Sequence, residues 1–189
     1  MRRYAAVIDA PVRVATLGEP SGDDPSMGSS RRAAVAGASV GVAATLGMSA
    51  VMMAGQRFGL TGRHPPEEIV DRSAERLTGH RLEEQHADAA GTIAHLAFGA
   101  AAGAMFAIGW GKLHPAIPAS LAGVGYATGI WSASYLGWVP TLGLMPPADQ
   151  DDRSRQTVLL VAHWVYGVIL GTVVERLTQS EEGPRLGLR

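Results

Sequence analysis

The sequence predicts an all-α, polytopic membrane protein, a four-helix bundle built from two parallel two-helix repeats. Three observations carry this. The 189 residues segregate into four apolar blocks and four charged ones, although mean hydropathy is near zero. Each apolar block is long enough, at about 20 residues, to cross a hydrocarbon core ~30 Å thick. The motif Ala-His-x-x-aromatic-Gly-x-x-x-Gly occurs twice, as "AHLAFGAAAG" from Ala94 and "AHWVYGVILG" from Ala162.

Residues 1–32 hold Gly, Pro, Ser and Asp without sustained periodicity and read as a disordered cytoplasmic tail. A start at Met27 would make "SSRRAAVAGASV" resemble a signal leader, but the repeat gives the first segment a counterpart in the third, which argues against cleavage. The membrane domain is expected over 33–177. Its first span, 33–55, carries no charge between Arg32 and Arg57. The loop that follows starts a helix at 66–78: Pro65-Pro66 supplies the first turn, Glu67 and Glu68 suit the positive end of the dipole, and Gly79 can stop it. Ile69, Val70, Ser73, Ala74 and Leu77 give that helix a modest apolar stripe, for the bilayer surface or the end of the bundle.

The second span, 89–110, has His95 as its one ionisable group; the third, 116–139, lies between Pro115 and Pro140; the fourth, 157–174, closes at Glu175 and Arg176. Proline at the ends and none in the middle predicts uninterrupted helices. Trp110, Trp131, Tyr135 and Trp138 lie towards span ends, where amphipathic rings favour the headgroup level. Residues 178–189 read as a polar tail. A soluble bundle would show a polar stripe along each helix, and these segments show none.

Every span holds a GxxxG pair: Gly37 with Gly41, Gly99 with Gly103, Gly125 with Gly129, Gly167 with Gly171. Small residues four apart let backbones approach closely where lipid provides no hydrophobic drive for helix association. A tightly packed bundle is therefore expected, with a second copy or another membrane protein as partner besides the lipid bilayer. The echo extends to the loops, where Gly59-Leu60 precedes Pro65-Pro66 and Gly143-Leu144 precedes Pro146-Pro147. Equivalent points lie two spans apart, so the repeat is parallel, about an axis along the membrane normal. His95 and His163 then sit at similar depth on the glycine-bearing faces, and a pseudo-two-fold axis could bring them face to face.

With 16 basic against 17 acidic residues and no basic face, a nucleic-acid partner is not expected. The absence of cysteine excludes disulfides and thiolate chemistry. No nucleophile elbow, P-loop or dinucleotide fingerprint is present, so no catalytic residues and no enzyme activity are expected, and no cofactor. The sharpest site candidates are His95 and His163, with Tyr135 near them. Ionisable groups within spans are rare and usually face the bundle interior, and imidazole changes charge near neutral pH. Two readings stand: a proton-sensing, proton-passing or small-solute site, or rings that hydrogen-bond a carbonyl or a hydroxyl such as Tyr135 or Ser132 as helix glue. The rival to a conducting or sensing function is a structural or assembly subunit that associates through its GxxxG faces. Met48, Met52, Met53 and Met145 with the two histidines would suit Cu(I), but no ligand spacing supports it, and no metal site is expected. His80, Glu84 and His86 lack zinc-protease spacing and read as a solvated face.

"LAG" at Leu121 to Gly123, the element of Pro140, Gly143, Leu144, Pro146 and Pro147, and His163-x-Val165 resemble the YagU-like family of uncharacterised small bacterial inner-membrane proteins. The resemblance covers roughly 90–175, and the charged loop 57–88 departs from it. It implies a multi-pass protein of the bacterial cytoplasmic membrane. The slight excess of arginine and lysine on one side favours the N- and C-termini inside.

Overall fold

The computed structural model describes residues 25–62, 65–113 and 116–181. They form α1 (Pro25–Arg57), α2 (Pro65–Thr78), α3 (Glu84–Leu113), α4 (Ala119–Trp131), a π-helical segment (Ser132–Trp138), α5 (Val139–Thr141) and α6 (Arg153–Glu181), with no strand among them. Three helical stretches are long and apolar enough to cross a membrane: Met27–Arg57, Glu84–Leu113 and Arg153–Ser180. α1 begins eight residues before the expected span, so 25–32 are helical rather than tail, and α6 continues through 178–181. The expected tail segments 1–24 and 182–189 lie outside the described residues.

α1 and α3 pack antiparallel through glycine. A Cβ on Gly41 would lie 3.0 Å from the carbonyl carbon of Gly99 and 3.1 Å from Gly103 Cα; one on Gly37 would lie 3.0 Å from the carbonyl carbon of Gly103. α4 and α6 meet in the same way, but in a register the sequence did not predict. Gly125 and Gly129 are exposed and have no atom within 4 Å of where a Cβ would stand. The close approach is made instead by Ala119 and Gly123: a Cβ on Gly123 would meet Gly167 and Gly171, and one on Gly171 would lie 2.6 Å from the carbonyl carbon of Ala119. The two GxxxG pairs of α4 and α6 therefore do not face each other. α1 also packs antiparallel on α6, with Gly47 against Ile169 and Gly55 against Val158. The helices run in the order α3, α1, α6, α4, and α3 and α4 barely touch.

The expected third span is not one uninterrupted α-helix. The run 119–141 is helical throughout but turns π-helical between α4 and α5. The cause is visible in the numbering. Both α1 and this run end on a left-handed glycine, Gly59 at φ 71° and Gly143 at φ 60°, with matching capping hydrogen bonds (Leu60 N–H to Gly55 O, 2.9 Å; Leu144 N–H to Val139 O, 3.0 Å). From Gly41, the glycine opposite Gly99, to Gly59 is 18 residues; from Gly123, opposite Gly167, to Gly143 is 20. The wider π turns take up this surplus, because i→i+5 bonding holds more residues per turn than the α-helix.

α2 lies across the end of the helices rather than free on a surface. Its first turn touches α3 at Gly91, where a Cβ would come within 2.8 Å of Glu67 N and Cα. Gly79, at φ 78°, ends it. Buried Asp71 then accepts the backbone N–H of Leu82 (3.0 Å), fixing the turn into α3. Arg81 donates to Glu75 (3.0 Å), and this hydrogen bond, with the charge behind it, raises the guanidinium pKa above its ordinary value. α6 starts on Asp152, which accepts the Ser154 hydroxyl (2.6 Å) and N–H (2.7 Å). These bonds hold the Asp152 carboxyl below the usual carboxylate range, so the cap is in place at neutral pH and is lost as pH falls through that lowered value.

Gly41→Ala and Gly167→Ala are each expected to lower unfolding stability in detergent by about 1–3 kcal/mol, because the new methyl meets backbone that cannot swing aside. Gly125→Ala should leave it unchanged or raise it slightly, since alanine is the better helix former. Thermal unfolding followed by circular dichroism distinguishes the two glycine registers.

Candidate functional site

The sparse contact between α3 and α4 leaves a cavity of about 250 Å³ under α2. Both sequence-predicted histidines line it, His95 from α3 and His163 from α6, and so does Tyr135 from the π segment. Thr45, Ser134 and Tyr166 add hydroxyl-bearing side chains to walls that are otherwise mostly apolar: Met48 and Met52 from α1, Ile69 and Val70 from α2, Phe98 from α3, Trp131 from the end of α4, Trp138 from the π segment, Met145 from the loop after α5. Among the described residues no Asp, Glu, Lys or Arg lines it. One to two turns further along the helices, Phe106, Ala127 and Leu170 are buried, and Phe106 packs against Tyr126 with ring centroids 5.4 Å apart. The cavity is therefore blind at its inner end. Two tyrosines tie that region across helices: Tyr166 donates to Gly99 O (2.8 Å) and Tyr126 to Ala102 O (2.9 Å). At the other side Ala94, Phe98 and Trp138 are exposed, so the mouth lies laterally between α3 and the π segment.

The chemistry of His163 follows from one bond. Its Nδ1 lies 2.7 Å from the carbonyl of Leu159, one turn back in α6. A carbonyl only accepts, so Nδ1 carries the proton, and in the neutral ring Nε2 holds the lone pair. Neither Tyr135 nor Ser132 serves as the hydroxyl partner of His163. Tyr135 donates instead to Asp151 Oδ2 (2.5 Å), outside the apolar walls.

That bond opens into a polar cap invisible to the sequence pattern. Asp151 lies 3.8 Å from Arg155 Nε, and Arg155 NH2 donates to Glu68 Oε2 on α2 (3.2 Å), while Arg72 holds the other oxygen of Glu68 (2.9 Å). Arg155 and Asp151 are 12% and 7% exposed, so their charges are largely withdrawn from water. Gln156 donates to Ala148 O (2.6 Å), and the Ser154 hydroxyl, whose one proton is shared between Asp152 and the longer contact to Leu60 O (3.1 Å), brings the loop after α1 beside the start of α6. Among the described residues, Arg155 Nε and Trp131 Nε1 are buried without a hydrogen-bond partner. The only sequence signal for the cap was an arginine two residues before an apolar segment. Its partner Glu68 is 87 residues away.

The metal candidates divide. Met48, Met52 and Met145 share the cavity with both histidines, whereas Met53 is half-exposed and does not line it. Among the described residues no three His, Asp or Glu side chains are grouped to hold a metal ion. His80, Glu84 and His86 are exposed, His86 lying 3.7 Å from Glu83.

The chain belongs to a protein family of unknown function, DUF6789, which it matches over residues 31–184. No curated protein and no solved structure matches it.

Arg155→Met is expected to lower stability by about 3 kcal/mol, the low end for breaking a buried ion pair, because Glu68 keeps Arg72. Adding Glu68→Gln and Asp151→Asn should restore most of the loss, since no carboxylate is then left without its cation. Unfolding of the single and triple variants in detergent checks both.

Proposed function

We propose that this is a pH-responsive membrane protein that binds a small neutral solute in the cavity shared by His95 and His163. The observation that carries the reading is that two histidines 68 positions apart, on different helices, line one apolar chamber. Imidazole is the one group there able to gain charge near neutral pH. Protonation would place a cation among apolar walls, so the solute is held at high pH and released as pH falls. The blind inner end favours binding and sensing over conduction. The lateral mouth favours a solute arriving from the bilayer.

The same reading includes four membrane segments, with 119–141 as the third, arranged as two parallel repeats. The matching glycine caps at Gly59 and Gly143 and the matching backbone approaches of α1 to α3 and α4 to α6 support it. Kinship with YagU-like proteins, a bacterial cytoplasmic membrane and an inward N-terminus belong to the same proposal. A second reading, a structural or assembly subunit, draws on Gly125 and Gly129, which meet nothing within the chain and leave a flat strip on α4 for a second copy or another membrane helix.

In nanodiscs, wild-type protein should bind naphthalene saturably, beyond its partition into empty discs, and Ala94→Trp, which fills the mouth, should abolish the saturable part. The affinity should fall as pH is lowered from about 8 to 5, the range in which imidazole charges. No saturable binding by folded protein would transfer the proposal to assembly. Proton flux into liposomes that a His95→Ala, His163→Ala double variant loses would make the site conducting.

A further inference from the structure

The chemistry of the cavity narrows the solute class, an inference that rests on the binding role proposed above. His163 lines the chamber, and its Nδ1–H is spent on the Leu159 carbonyl. Among the described residues Nε2 has no hydrogen-bond partner, and it is not one of the sealed-off buried atoms. A neutral imidazole in this tautomer offers a lone pair and asks for a donor. Among the described residues no Asp, Glu, Lys or Arg lines the walls to neutralise an ammonium or a carboxylate, and burying such an ion unpaired is costly.

The walls add a shape. Trp131 and Tyr135 stack with centroids 5.4 Å apart and planes 16° from parallel. Phe98 and the thioethers of Met48 and Met52 line the same space, surfaces that suit a flat ring. At about 250 Å³ the chamber is below the usual size of a drug-sized site and holds little more than one substituted ring. Phe98 and Trp138, 50% and 44% exposed at the mouth, leave a lateral exit for an alkyl tail into the bilayer.

We propose that the cavity takes a neutral lipid-soluble phenol or hydroquinone, whose ring enters between α3 and the π segment and whose hydroxyl donates to His163 Nε2. Among the described residues the titratable groups on the lining besides His163 are His95 from α3, Tyr135 from the π segment and Tyr166 from α6. Tyr135 and Tyr166 already donate to Asp151 and Gly99.

The test compares 4-octylphenol with its methyl ether, 4-octylanisole, on the full chain in nanodiscs, read by tryptophan fluorescence against empty discs. At pH 8 the phenol should bind about tenfold more tightly than the ether, the worth of one hydrogen bond to an otherwise unmet acceptor. The preference should disappear in His163→Phe and survive in His86→Ala, an exposed loop histidine. In case His163→Phe does not fold, the wild-type protein carries the same test: in nitrogen-15 histidine-labelled protein at pH 8 the phenol, and not the ether, should shift an imidazole Nε2 resonance, because only the phenol donates to that lone pair. Equal binding of phenol and ether at pH 8 would overturn the donor inference while leaving a solute-binding cavity intact. A preference that persists in folded His163→Phe, or an imidazole Nε2 resonance that the phenol leaves unmoved, would overturn it too. Saturable binding of neither would overturn both this inference and the solute-binding role.

Discussion

The close approach of helix backbones at glycine is the constraint on which the other features depend. Lipid tails are as apolar as the helices, so burial offers no gain, and association rests on van der Waals contact between surfaces that fit. At Gly37, Gly41 and Gly103, and again at Gly123, Gly167 and Gly171, a single added methyl would collide with the facing helix's backbone, and at Gly99 with the Thr45 side chain. These contacts bind α1 to α3 and α4 to α6. α1 then lies against α6, and nothing comparable draws α3 to α4. The cavity is the space left by that asymmetry.

The same contacts explain the π segment. The glycine register fixes one end of α4 and the Gly143 cap fixes the other, and the chain between them is two residues longer than in α1. Wider turns absorb the excess. Their position matters chemically, because Ser134, Tyr135 and Trp138 face the cavity from this stretch. Tyr135 thereby spans two environments, with its ring on the apolar wall and its hydroxyl on Asp151 in the polar cap. The cap brings charge to the end of the helices only as a set: Arg155 stands between Glu68 and Asp151, and Arg72 holds Glu68 from the other side. Each ion there is compensated by a neighbour, the condition under which buried charge is tolerated.

His163 illustrates how a bond that looks like helix glue can also prepare a site. Its bond to Leu159 O satisfies a ring nitrogen within its own helix and crosses to no neighbour. It also orients the ring and settles which nitrogen carries the proton. Glue and recognition were competing readings at the level of sequence. In the folded chain one nitrogen serves the first, which leaves the other available for the second.

The sequence by itself determined the helical class, the apolar segments, the helix opened by Pro65-Pro66 and the two histidines as the notable polar groups in those segments. Charge runs, proline and glycine punctuation and segment length are local properties, and they survive folding. Tertiary structure alone decided that Gly123 rather than Gly125 meets α6, that Glu68 pairs with Arg155, and that the histidines share a cavity with Met48 and Met52 but not with Met53. The physical reason is that these helices are apolar on every side. Helical period tells which residues share a face, but where lipid and protein are equally apolar, no stripe marks the face that turns inward. That choice falls to steric fit between whole helices, which a local pattern does not contain.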